Sequence, residues 1–316
     1  MTSIQPLYSM LETLLDEVCA AVTAPVEREW GGSEGAMEQL CTRLSEIRRT
    51  CPNEVWDQEI VPRCFRHPLR EVVHQDPYTH RAYVKPRGYA GDAIMIDYIY
   101  SRCAPTGTSL LGKKVFDYTT GCSNAESVRA RRDRIAVLID EVAQVRKKPR
   151  ILSIACGHLR EVEQSKAVCD GLIGEFVAVD QDVESINFVK REYGRLGVRC
   201  VCSPIRDLLK GNIEPLRFDL IYATGLYDYL PDLMAKRLTK QLFKLLAPGG
   251  NLLVANFLPN SMGRGYMETF MNWRLTYRTV RELESLGEQI QVEEVNRAQS
   301  SQDEWGNIGY LEIVRT

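Results

Sequence analysis

Between residues 150 and 257 the chain alternates short, uninterrupted apolar runs with segments of helical periodicity, and this alternation restricts the fold more than any other feature. The runs 150–155, 174–180, 199–203, 218–224 and 250–257 read as strands, and 160–169, 183–193 and 233–246 read as helices. A strand apolar on successive residues is buried on both faces, and the helices between such strands supply the crossovers of βαβ units. Right-handed crossovers then give a doubly wound sheet. A helical region over 265–286 precedes two further strands, 289–296 and 307–314. The loop between them, around 300–305, is too short for a crossover helix, so the pair must run antiparallel. The pattern predicts an α/β fold with seven strands and an antiparallel last strand.

The 316 residues exceed one typical domain. Residues 1–122 are interrupted by Pro52, Pro62, Pro68, Pro77, Pro86 and Pro105, too closely spaced for long elements, and read as an attached helical lid or substrate segment; 123–316 read as the ligand-binding domain. Leu7, Leu11, Leu14, Leu15, Val18 and Val22 recur at helical spacing, while Glu12, Asp16 and Glu17 interrupt any signal-peptide core. A helix over 123–145 starts at Ser123 and Asn124, with Val128, Ile135, Leu138, Ile139 and Val142 on one face. Its Arg129, Arg131, Arg132 and Arg134 read as a solvated face.

Composition removes several classes of function. Forty Lys and Arg against 42 Asp and Glu leave a net charge of −2, which favours neither nucleic acid nor an anionic membrane as partner. No stretch approaches the roughly 20 apolar residues of a membrane helix. The ten cysteines include no CxxC pair and the four histidines no HExxH, so neither a metal site nor a disulfide framework is expected. Reduced thiols suit a cytoplasmic protein.

Ligands of open α/β sheets sit beyond the carboxyl ends of the strands, where strand order reverses. The first strand runs through ILSIACGHLRE at 151–161, with Gly157 as the single glycine of its turn. A dinucleotide fingerprint needs three, so this loop is a poor pyrophosphate binder. The second strand ends in VDQD at 179–182, where Asp180 is placed to accept from a ribose diol, Gln181 flanks the nucleoside and Asp182 caps the next helix. After the third strand, SPIRD at 203–207 puts Ile205 and Arg206 where an adenine would lie.

These motifs, with FDLIYATGLYDYL at 218–230 and LAPGGNLLVANF at 246–257, resemble in order and spacing those of class I S-adenosyl-L-methionine (SAM) dependent methyltransferases, whose Rossmann-like sheet also ends in an antiparallel hairpin. The resemblance covers about residues 123–316. KPRGYAGD at 85–92 and GYMETFMNWRLTYR at 265–278 further resemble a bacterial subgroup labelled 3-hydroxypalmitate methyl ester biosynthesis proteins. The acid usual in the first strand is Ser153 here, and two usual glycines are Ala155 and Leu159. The resemblance implies that SAM contacts Ala155, Gly157, His158, Asp180, Gln181, Ile205, Arg206, Thr224 and Gly225. Arg160 or Glu161, or Lys85, Arg87 and Asp92 with Tyr89 and Gly91 in a glycine-containing lid loop, are the candidates to replace the missing contacts.

Methyl transfer is an in-line displacement, so positioning outranks acids and bases. The resemblance sets Tyr227, Asp228 and Tyr229 beside the sulfonium, with Asn256 next to them. Tyrosine faces can stabilise the cation and Asp228 can orient or deprotonate an acceptor. The alternative is that Tyr229 packs in the core and Asp228 caps a helix. Arg264, Arg274 and Arg278 are candidates for an acceptor carboxylate, and Thr279 with Glu282 forms a capping box. Three functions compete: methyl transfer to a small molecule such as a carboxylate or hydroxy acid of secondary metabolism or signalling; ring closure of SAM itself, as in azetidine-2-carboxylate synthases on the same scaffold; and SAM binding without catalysis.

Overall fold

The computed structural model describes residues 5–24, 31–209 and 217–316. The chain forms two compact units, one of Met1–Glu126 with Asn260–Arg274 and the other of Ser127–Pro259 with Leu275–Thr316.

The first unit is helical: α1 (Gln5–Thr23), α2 (Gly31–Thr50), α3 (Pro77–Val84), α4 (Ala93–Ser101) and α5 (Leu110–Gly121), with shorter turns between them. Leu11, Leu14, Leu15, Val18 and Val22 of α1 are buried, which is the face the spacing predicts. A capping aspartate starts α3: Asp76 accepts from the N–H groups of Tyr78 and Thr79, satisfying donors that the helix cannot. The helix Arg264–Phe270 packs on α2, where the buried Glu268 carboxylate accepts from Arg48 at 2.7 Å and from Arg264 at 2.8 Å.

The second unit holds a doubly wound seven-stranded sheet in the order β3-β2-β1-β4-β5-β7-β6. Its strands are β1 (Arg150–Ile154), β2 (Glu175–Asp180), β3 (Val198–Cys202), β4 (Phe218–Ala223), β5 (Leu246–Phe257), β6 (Val295–Gln302) and β7 (Ile308–Arg315). β1 to β5 pair in parallel, and β7 is antiparallel to both β5 and β6. Helices α6 (Ser123–Val145), α7 (Val183–Tyr193) and α8 (Asp232–Lys244) complete the winding. On one face Leu152, Ile154, Ile221, Ala223, Leu252 and Val254 pack with Ala235, Leu238 and Leu242 of α8. Alternate residues take the other face, where Ile151, Leu220 and Tyr222 are equally buried. Burial on both sides is why these strands read as unbroken apolar runs.

Four expectations shift. The helix over 160–169 is a 3-10 turn, Arg160–Glu163, followed by a separate turn, Lys166–Cys169, because Asp140 of α6 accepts from the Ser165 hydroxyl and from Lys166 and Ala167 N–H and restarts the chain there. The region 265–286 is helical only over Arg264–Phe270 and Val280–Glu284, since Asn272 takes φ 46° and turns the backbone out of helix; the capping box at Thr279 and Glu282 is present. β6 begins six residues later than the apolar alternation of 289–296 suggests, because it is an edge strand of mostly polar residues. The arginines of α6 are not a solvated face: Arg131 is buried and Arg134 lies over the Tyr310 ring and pairs with Glu312. No helix among the described residues is long and apolar enough to cross a membrane.

Candidate active site

Strand order reverses between β1 and β4, so the loops after β1, β2 and β4 flank the crevice at the sheet's carboxyl edge. After β1 the chain alternates in and out of the left-handed region: Ala155 has φ 53°, Gly157 φ 53° and Leu159 φ 52°. For Ala155 and Leu159, which stand where the resembled family has glycine, that conformation costs about 1–2 kcal/mol each. Buried Leu159 and the bond from Cys156 N–H to the Val179 carbonyl at 3.1 Å hold the loop in it. Strain of this kind persists where a backbone shape is needed for more than folding.

Asp180, at the tip of β2, closes on this loop. Its Oδ2 accepts from Gly157 N–H at 2.8 Å and its Oδ1 from Asp182 N–H at 2.9 Å. Burial raises its pKa above the carboxylate range, and those N–H bonds oppose the shift. Asp182 caps α7 through Glu184 N–H. Gln181 is exposed, Ile205 is half-buried at the start of the short helix Ile205–Leu209, and Arg206 is exposed. Thr224 is half-buried, and a Cβ on exposed Gly225 would meet nothing. His158 and Arg160 turn toward α7 instead. His158 stacks on Phe188 with ring centroids 4.0 Å apart, and Arg160 lies over the same ring while pairing with Glu163 at 2.8 Å.

The turn after β4 departs most from expectation. Tyr227 is fully buried in the core, its hydroxyl 3.0 Å from Thr239 of α8, so its ring is a packing element and not a face for a cation. Asp228 is also buried: its Oδ1 accepts from Phe257 N–H at 2.7 Å and from the Asn256 amide at 2.9 Å. Arg278 clips this turn from the inside. Its Nη1 donates to the Tyr227 carbonyl and to Asn256 Oδ1, its Nη2 to the Leu230 carbonyl and to Asp232, and its Nε to Asp232. All five guanidinium donors are thereby engaged, which withdraws Arg278 as an acceptor ligand. Tyr229, 39% exposed, is the tyrosine of this turn that reaches the surface.

Of the two candidates offered by the turn after this loop, Arg160 faces α7 and Glu161 turns inward. Glu161 is buried, and its Oε1 accepts the Tyr222 hydroxyl proton at 2.6 Å. Tyr222 sits on β4 in register with Ser153 of β1. The signal was available as an acid missing at position 153 and another eight residues later.

The remaining candidates belong to the first unit. Asp92 is buried, caps α4 through Met95 N–H and pairs with Arg81 at 2.8 Å, so its carboxylate is committed to the fold. Lys85 ends α3 at φ 53° and donates to the Asn272 carbonyl. Arg87 and Tyr89 are half-buried between Lys85 and Gly91, which has φ 77°. Arg264 pairs with Glu268, and Arg274 with Asp57 at 2.7 Å.

No family model and no curated protein matches the chain. Among solved structures, a possible exported protein from Bordetella parapertussis aligns over 99% of both chains with 12% identity and a TM-score of 0.58. Magnesium protoporphyrin IX methyltransferase from Synechocystis PCC 6803 with bound S-adenosylhomocysteine aligns over 71% of this chain and 98% of its own, with 11% identity and a TM-score of 0.48. The N-methyltransferase NodS from Bradyrhizobium japonicum WM9, in complex with the same product, aligns over 59% and 86%, with 15% identity and a TM-score of 0.43. At 12% identity the likeness to the Bordetella protein is one of fold.

Proposed function

We propose that the chain binds SAM at the carboxyl edge of β1, β2 and β4 and transfers its methyl group to a small-molecule acceptor. The observation that carries this reading is Asp180 closing on the strained loop after β1. A carboxylate held there by two backbone N–H groups keeps lone pairs for the two hydroxyls of a ribose. The rest of the edge suits a nucleoside without phosphates. The β1 loop runs into a four-residue 3-10 turn and not into a long helix whose N-terminus would bind an anion, and Glu161 adds a second carboxylate. Two buried carboxylates oppose a pyrophosphate and favour a cation.

SAM held here would supply an activated methyl carbon to an acceptor's lone pair, with the thioether as its leaving group. The chain's own contribution is positional. Asp180 fixes the nucleoside, Gln181 and Ile205 flank its base, and Thr224 and Gly225 leave room at the reacting centre. Tyr229 offers the aromatic face, worth about 0.5–2 kcal/mol to a cation. Asp228, Asn256 and Arg278 hold its turn in place. The resemblance to 3-hydroxypalmitate methyl ester proteins supports a carboxylate or hydroxylated acid as acceptor.

The test is the product formed from SAM by the purified chain, with and without candidate acids. S-adenosylhomocysteine that appears only with an acceptor supports methyl transfer. Methylthioadenosine formed without one replaces it by internal displacement, and neither product despite tight binding replaces it by a non-catalytic role.

A further inference from the structure

We propose that Arg131 of α6 binds the carboxylate of the methyl acceptor and so selects an anionic substrate. The inference rests on the methyl-transfer reading above and adds the residue that recognises the acceptor's charge.

The sequence sets Arg131 on the inner side of its helix. Ser127, Arg131 and Arg134 stand four and three residues apart, so they share one face of α6. At one end of that stripe the buried Ser127 hydroxyl accepts from the Asn307 amide at 3.0 Å, just before β7. At the other end Arg134 lies over the Tyr310 ring and pairs with Glu312. β7 starts where β5 ends, with Ile308 opposite Phe257, so Ser127 marks the carboxyl edge of the sheet. Arg131 lies one turn in from it and is 7% exposed.

Arg131 and Arg278 are both buried, and they differ in what they bond. Arg278 has every donor engaged. Among the described residues Arg131 makes no hydrogen bond and no ion pair. It acts through space on the Asp228 and Glu161 carboxylates and on Tyr310. The two carboxylates balance its charge without taking its N–H groups: Asp228 accepts from Phe257 N–H and the Asn256 amide, and Glu161 from the Tyr222 hydroxyl. The result is a guanidinium with its charge compensated and its five donors unused. Buried donors of this kind are rare and costly unless something accepts from them. A carboxylate takes two in parallel, and as a monoanion it suits a place near two other carboxylates better than a phosphate dianion does.

Strand order assigns this anion to the acceptor. Asp180 fixes the nucleoside from β2, whereas the stripe that carries Arg131 is anchored on β7, on the other side of the reversal between β1 and β4. An acceptor attacking in line stands beyond the methyl group from the thioether.

The test is ligand binding to the full chain at saturating S-adenosylhomocysteine, with acetate, 3-hydroxybutyrate and 3-hydroxyoctanoate each compared with its own amide. The parent should prefer at least one carboxylate to its amide by about 10- to 100-fold, the value of a charged hydrogen-bonded pair. Arg131→Gln should erase that preference while holding S-adenosylhomocysteine within about threefold of the parent. Arg131→Lys should keep part of the preference, because the charge remains and the fork is lost, and it decides the matter if Arg131→Gln does not fold. A parent without the preference, or a folded variant that retains it in full, overturns the inference and leaves the SAM reading standing. Weaker S-adenosylhomocysteine binding in Arg131→Gln with the carboxylate preference intact also overturns it, by assigning the guanidinium to the cofactor. A parent chain that does not bind S-adenosylhomocysteine removes the SAM reading, and this inference with it.

Discussion

Two loops at the carboxyl edge of the same sheet differ in whether an arginine is bonded into them. After β4, Arg278 places all five donors on Tyr227, Leu230, Asn256 and Asp232, while Asp228 is held by the neutral Phe257 N–H and Asn256 amide. After β1 and β2, the carboxylates of Asp180 and Glu161 are likewise met by neutral donors, two backbone N–H groups and one tyrosine hydroxyl, and the nearest guanidinium charges on Glu161 come from Arg131 and Arg132 of α6. The first loop also takes ordinary backbone angles, whereas the second carries left-handed Ala155 and Leu159. The turn after β4 is fixed by a guanidinium that bridges its carbonyls, whereas the loop after β1 is held in a conformation costly for Ala155 and Leu159.

Removing the guanidinium from the first loop should break the comparison most severely. Arg278→Ala strands two buried carbonyls and the Asn256 amide oxygen, so we expect a loss of about 3–5 kcal/mol in urea unfolding, and Arg278→Lys should not restore it because an ammonium lacks the forked donor geometry.

A smaller effect is set by pH. Burial raises Asp228 to about 6, against the bond from Phe257 N–H and the fields of Arg131 and Arg278. An acid with a raised folded pKa ionises first in the unfolded chain, so its contribution is lost as pH rises from about 4 to about 6 and is constant above that. Relative to Asp228→Asn, the parent should lose on the order of 2 kcal/mol across this window. A flat difference would mean that the paired loop does not hold Asp228 as described.

The smallest change tests whether the buried tyrosine is structural. Tyr227→Phe deletes the bond to Thr239 and should cost about 1 kcal/mol of stability while leaving turnover intact. A marked loss of turnover at unchanged stability would return Tyr227 to the chemistry.

The contrast explains what could be read from the sequence. β1 to β5 were legible because burial on both faces forces unbroken apolar runs, and β6 was displaced because an edge strand carries no such run. The departures at 155 and 159 were legible through the spacing of a glycine pattern that this chain fills with other residues, but not that both keep a left-handed backbone. Tyr227 and Tyr229 were not separable: both stand in one short turn, and only packing against α8 decides which is buried. Arg278 was misjudged for a related reason. Two of its acceptors are main-chain carbonyls 48 and 51 residues away, and nothing local distinguishes such an arginine from one facing a ligand. Glu161 was named beside Arg160 but could not be separated from it, because its burial and its bond to Tyr222 depend on another strand.

The central claim, that the β1 and β2 edge is a SAM site anchored by Asp180, is tested most directly by titrating S-adenosylhomocysteine into the parent chain and into Asp180→Ala. The account predicts a parent dissociation constant on the order of micromolar and a variant weaker by about 1.5–3 kcal/mol with its melting transition retained. No binding by the parent, or equal affinity in a folded Asp180→Ala chain, would contradict it.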